Sequence, residues 1–330
     1  MAEQPDFLRH TVNLAQPRLG ARVLDASDDF FAPKERLIRR EEPIFVADKY
    51  DDHGKWMDGW ESRRRRGEGH DYCIVQLCCG TIHGVDVDTR FFTGNFPPEI
   101  SLDACRSAQS PDEQTDWREI IPRSKIHGDA HNFIPVDSRQ DWTHVRLNIF
   151  PDGGVARLRV YGEAHCDWSS TAQTELVDLA ALSNGGQALA CSDMHYGDMT
   201  NLIAPGPAEN MGDGWETRRR RGPGYDWVIL KLGHPGVIRK IQVDTAFFKG
   251  NYPNHCTVLG ALLDQEQAEQ VSEDGDYWLE ILSAGLLAAD QLQEFGDAIQ
   301  DAGPVSHILF RIIPDGGVAR LRLLGTLYQP

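Results

Sequence analysis

The chain has 330 residues, 41% of them hydrophobic, a formal net charge of −17 and a pI near 5.1. That length exceeds the ~100–200 residues usual for one domain, so two domains with sizeable cores are expected. The acidic balance excludes a chain-wide attraction to nucleic acid or to an anionic membrane surface, although local charge at a site can oppose the global sign and the substrate could still be an anion.

In chain order, the opening stretch MAEQPDFLRHTVNLAQ lacks the basic-then-apolar pattern of a secretion signal, and residues 1–17 read as an N-terminal arm. No run of 18 apolar residues follows, so no membrane span is expected. Candidate strands are 72–78, 84–88, 99–105, 144–150 and 155–161, with counterparts at 227–232, 238–244, 255–261, 307–313 and 318–324. Val145, Leu147 and Ile149 alternate with Arg146 and Asn148, the period of a half-buried strand. Pro-Asp-Gly-Gly then separates two such runs, so 144–161 and 307–324 are each predicted to be a β-hairpin. Helical periodicity appears only at 174–182 and 286–299. The seven cysteines, Cys73, Cys78, Cys79, Cys105, Cys166, Cys191 and Cys256, are odd in number and include no C-x-x-C pair. They read as reduced, buried thiols of a cytoplasmic protein rather than as a zinc site.

The chain repeats itself. DGWESRRRRGEGHDYCIVQL from Asp58 returns as DGWETRRRRGPGYDWVILKL from Asp213. VDTRFFTGNFP from Val87 returns from Val243 as VDTAFFKGNYP, and HVRLNIFPDGGVARLRVYG from His144 returns from His307 as HILFRIIPDGGVARLRLLG. Ala26-Ser27-Asp28 is matched more weakly by Cys191-Ser192-Asp193. The order never changes, so the unit is a duplicated domain: repeat 1 at 18–165, a polar linker at 166–173, and repeat 2 at 174–330. Many short strands with Gly- and Pro-rich turns predict an all-β antiparallel sandwich for each.

Four groups of residues carry chemistry. The run Arg63, Arg64, Arg65 and Arg66 sits in an acidic chain and occurs twice, which argues against a nucleic-acid patch. It is either a solvated strand end paired with acids such as Glu61 and Asp71, or an anion pocket in which alternate arginines face opposite ways. Arg157 and Arg159 share one strand face, either as a surface ladder or flanking a small anion. Asp88 and the turn that presents Asn95 either cap the backbone or bind a urea-like group. His127 and His131 are spaced as metal ligands, but Gly128 replaces the glutamate of a metalloprotease helix, so proton transfer is the reading preferred. Aligning Phe133 with Phe295 puts Ala289 at His127 and Gln293 at His131, which makes repeat 1 the better catalyst candidate.

Taken together, these doubled blocks resemble the allantoicase family from about residue 18 to 325. The resemblance implies two tandem jelly-roll β-sandwich domains of the galactose-binding-like type and a homo-oligomer. It implies the hydrolysis of allantoate to ureidoglycolate and urea, in allantoin degradation. Gln293 departs from the family pattern. Urea leaves intact in this reaction, so the bond broken joins the central carbon to a ureido nitrogen. A cation must hold the carboxylate, an acid must protonate the leaving nitrogen and a base must activate water. The clamp is assigned to Arg63–Arg66 with Arg157 or Arg159, and acid–base work to His127 or His131 with Glu61 or Asp88. A divalent metal is left open. The rival reading is a non-catalytic galactose-binding-like module using Trp56, Trp60 or Trp215.

Overall fold

A computed structural model describes residues 5–8 and 11–329. The chain divides into two compact units, Met1–His165 and Cys166–Pro330.

In the first unit the strands are β1 (Val12–Asn13), β2 (Arg22–Ala26), the small hairpin β3 (Tyr50–Asp51) and β4 (Gly54–Lys55), and β5 (Trp60–Glu61). They are followed by β6 (Asp71–Asp88), β7 (Glu99–Cys105), β8 (Arg118–Lys125), β9 (Phe133–Pro135), β10 (Asp141–Phe150), β11 (Gly154–Val155) and β12 (Arg157–Ala164). All pairings are antiparallel. The 18-residue β6 merges the two candidate strands read at 72–78 and 84–88. Its first half lies between β2 and β10, beyond which come β7 and β8. Its second half lies between β12 and β9, with β1 outside β12. One strand thus serves both layers of a jelly-roll sandwich. The pairing skips His83 between Ile82 and Gly84, and this bulge lets Ile82 and Val85 both face the core. Val75, Leu102, Val145, Leu147, Leu158 and Val160 fill the space between the layers, all fully buried.

The second unit repeats this plan with β13 (Val177–Asp178), β14 (Gln187–Cys191), β15 (Trp215–Glu216), β16 (Asp226–Asp244) and β17 (His255–Ala261). It continues with α1 (Gln265–Glu269), β18 (Leu279–Leu286), β19 (Leu292–Phe295), β20 (Val305–Ile313), β21 (Gly317–Val318) and β22 (Arg320–Leu327). β16 is shared between layers as β6 is. Among the described residues no helix is long and apolar enough to cross a membrane, and all seven cysteines are free thiols.

Four expectations change. The runs around Pro-Asp-Gly-Gly do not form hairpins, because β10 pairs with β6 and β7 whereas β12 pairs with β6 and β1. Periodicity fixes the buried face of a strand, not its partner; here the turn carries the chain from one layer to the other. The stretches 174–182 and 286–299 hold no α-helix; β13 and β19 lie in them. Residues 12–17 are not a free arm, since β1 pairs with β12 and Leu14 and Ala15 are fully buried. Within 166–173, Asp167 caps a turn of 3-10 helix, Trp168–Ser170, inside the second unit.

Candidate active site

The repeated motifs meet at one corner of each unit. In the first, Trp60 is fully buried and its Nε1 donates to Asp28 O at 2.8 Å. An indole of this size buries ~150–250 Å², worth about 4–6 kcal/mol of apolar burial at ~25 cal/mol/Å², so the motif is anchored by its tryptophan. β5 pairs with β11, which draws Pro-Asp-Gly-Gly against the Gly-Asn turn. Gly154 N donates to Asn95 O at 2.7 Å and Ser62 N to Gly153 O at 3.1 Å. Gly153 has φ 144°, and a Cβ there would lie 2.7 Å from Pro97 N and 2.9 Å from Asn95 O. Only glycine permits that approach. Phe92, fully buried, supports the corner from below with Met57 and Ala156.

A cavity of about 350 Å³ opens at this corner, lined by Phe31, Glu61, Ser62, Arg64, Asn95, Phe96, Pro98 and Asp152, among others. The arginine run divides as an extended chain must. Arg63 reaches Asp28 at 2.6 Å and Arg65 is bonded to Asp71. Between them, Arg64 turns to the cavity, and Arg66 is exposed and does not line it. Arg63 and Arg65 are thus the acid-paired members of the run, and Arg64 is the one that lines a cavity. Asn95 Nδ2 donates to Glu61 Oε1 at 2.7 Å. Burial pushes the Glu61 carboxyl above its ordinary range, against the opposing pull of the Asn95 hydrogen bond. The corner thus joins a guanidinium, a carboxyl of raised pKa and an amide around a space sized for a small molecule.

The other candidates stand elsewhere. Asp88, buried on β6, is held by Arg90 at 2.7 Å and caps the backbone N–H of Arg90. His131 Nδ1 is 2.6 Å from Asp86 Oδ2, and its ring stacks on Phe133. Burial raises the Asp86 carboxyl, while His131 and the Asn132 N–H pull it down. None of His127, His131 and Asp88 lines the cavity. His127 is exposed and precedes Gly128, whose backbone packs so closely on the Phe96 ring that a Cβ would lie 2.3 Å from it. Arg157 and Arg159 are not a substrate clamp. Arg157 is 1% exposed and directs its donors to Glu41 O, Asp58 O, Ala156 O and Asp58 Oδ2. Arg159 holds the carbonyls of Arg39 and Arg40. The segment 39–41 covers their strand face, which same-face spacing alone does not reveal. Sequence reasoning missed Asp152, whose carboxylate accepts from Arg65 N at 2.8 Å; its place in the doubled Pro-Asp-Gly-Gly was the available signal.

The repeats also align one residue away from the sequence alignment. Thr89 Oγ1 donates to the carbonyls of His127 and Ala130, and Thr245 Oγ1 to those of Ala288 and Gln291. Asp129 and Asp290 share φ 51°. Ala288 therefore stands for His127, Leu292 for His131 and Gln293 for Asn132. Trp56, Trp60 and Trp215 are buried rather than presented to a ligand, which removes the support for a binding-only module. Among the described residues no group of three or more His, Cys, Asp or Glu is placed to hold a metal ion.

A family model described as the allantoicase repeat matches residues 12–165 and 177–328. The chain belongs to the allantoicase family. It is 54% identical over 316 residues to a probable allantoicase of Photobacterium profundum, covering 95% of this chain and 96% of that one. A probable allantoicase of Pseudomonas aeruginosa (strain UCBPP-PA14) is 50% identical over 324 residues, 98% of each chain. Among solved structures, Saccharomyces cerevisiae allantoicase superposes with a TM-score of 0.77 at 33% identity, covering 96% of this chain and 93% of that one.

Proposed function

We infer that the corner of Arg64, Glu61 and Asn95 is where this allantoicase performs its reaction, in which allantoate and water give ureidoglycolate and urea. Supporting the reading is one observation above all: Arg64 faces the cavity while Arg63 and Arg65, on either side, are held by Asp28 and Asp71. A guanidinium so placed receives a carboxylate through its planar fork. The Asn95 side-chain oxygen and Asp152 accept from ureido N–H groups. Glu61, with its pKa raised by burial, is the base. It takes a proton from water as the water oxygen bonds to the central carbon and the bond from that carbon to one ureido nitrogen breaks. The departing nitrogen takes a proton from His127, an exposed residue outside the cavity lining whose neighbour Gly128 packs on Phe96, so urea leaves whole. Solvent returns the proton from Glu61 to His127 between turnovers. In this reading the enzyme is cytoplasmic, in keeping with its free thiols, and assembles as a homo-oligomer.

Urea release from allantoate tests the assignment. Arg64→Ala removes charge-assisted hydrogen bonds worth about 1.5–3 kcal/mol, so kcat/KM falls about 10- to 100-fold in a folded protein. An unchanged kcat/KM shows the carboxylate to be held elsewhere. Repeating the assay after chelator treatment and metal readdition reads any metal contribution.

A further inference from the structure

We propose that the second repeat holds a ligand site of its own, which takes the same chemical class, a small carboxylate bearing a ureido group, and binds it without turnover. The inference rests on the reading of the first site. Asn251 Nδ2 donates to Glu216 Oε1, and Gly317 N donates to Asn251 O at 2.8 Å. Arg218 is held by Asp193 at 2.9 Å and Arg220 by Asp226 at 3.1 Å. Arg219 is exposed between them, as Arg64 lies between Arg63 and Arg65. Arg220 N donates to Asp315 at 2.9 Å, as Arg65 N does to Asp152.

The bonds of Glu216, Asn251, Arg218 and Arg220 help hold the corner together, as does the buried pair of Arg320 with Asp213. Arg219, exposed, is the member that these bonds leave to solvent. The surroundings have meanwhile diverged: Tyr196 stands for Phe31, Tyr252 for Phe96 and Asn254 for Pro98. Gln242 and Leu292 stand for Asp86 and His131. Against that background the clamp arginine, the glutamate, its asparagine and the aspartate are unchanged. The proton donor is not, since Ala288 replaces His127. A site that keeps its anion clamp and amide but lacks the acid for the leaving nitrogen binds and does not cleave. Its tyrosines and asparagine give it the more polar wall, so the two sites bind with different affinities.

Calorimetric titration with N-carbamoylglycine, which has the carboxylate and one ureido group but no second ureido to expel, reads the number of sites. The wild-type chain is expected to take two equivalents, Arg219→Ala one, Arg64→Ala one, and the double variant none. Arg219 is exposed, so its variant should melt with wild type, and a thermal scan checks this. One equivalent or none in the wild type, or two retained in a folded R219A, overturns the second site. Glu61→Gln reads turnover: loss of a general base lowers it about 100-fold or more for the whole chain, whereas residual turnover near half of wild type shows the second repeat cleaving and overturns binding without turnover. Two equivalents and full turnover retained in R64A would instead count against the first site alone.

Discussion

Replacing Arg157 by Met separates a structural arginine from a substrate-binding one. The guanidinium makes four hydrogen bonds, one of them to the buried Asp58 carboxylate at 2.8 Å. Methionine fills most of the space, so the loss is electrostatic rather than a cavity. It leaves a carboxylate 7% exposed, with Ile44 N and a longer contact to Arg39 for compensation. Breaking one side of a buried pair costs about 3–5 kcal/mol. For a unit of this size each kcal/mol moves the midpoint by about 2–4 °C, so its Tm falls by about 6–20 °C. Differential scanning calorimetry reads that shift, and adding Asp58→Asn should restore part of it, because a neutral amide needs no counter-charge. Below the lowered midpoint, KM for allantoate should match wild type. A Tm within about 2 °C of wild type together with a raised KM would refute the reasoning and return Arg157 to the substrate.

If Glu61 is the base, kcat/KM falls as pH drops through a value above 4.5, because burial raises its pKa and only the ionised form accepts a proton; in Glu61→Gln the pH profile loses that limb. His307 is 3% exposed, and burial, with Lys231 nearby, depresses its pKa from 6.5 to about 4. The unfolded chain therefore binds the proton first: stability is full above pH 6.5 and is lost between there and about 4, by about 3 kcal/mol. His307→Gln should flatten that slope in denaturant titrations. Gly153→Ala places a methyl against the backbone of Asn95 and Pro97 at a φ of 144°; a loss of about 1–3 kcal/mol of stability is expected, with lower turnover as Asn95 shifts.

The doubled blocks made the architecture legible because they mark the places where segments are tied through backbone groups: the Trp60 indole to the Asp28 carbonyl, Gly153 against the Asn95 backbone, the Arg65 N–H to the Asp152 carboxylate. The pocket members Glu61, Arg64 and Asn95 all lie in those blocks. What escaped was non-local. β8 and β18 are edge strands with mostly exposed side chains, so they lack the alternation that betrays a strand. The pairing of His131 with Asp86 joins residues 45 apart, and neither lies in a motif that names the other. Strand period alone puts Arg157 and Arg159 on one face, but the segment 39–41 that covers that face has no periodic signature. The hairpin failed for a similar reason, since a Gly-rich turn that reverses the chain and one that carries it to another layer have the same composition.

Because β6 is a member of both layers, neither layer can peel from the other without tearing its own middle. Amide hydrogen exchange at Val75 and at Val85, ten residues and one layer apart, should then report the same opening event. Cleavage within β6 should then require unfolding of the whole unit, whereas the exposed edge strand β8 can open on its own.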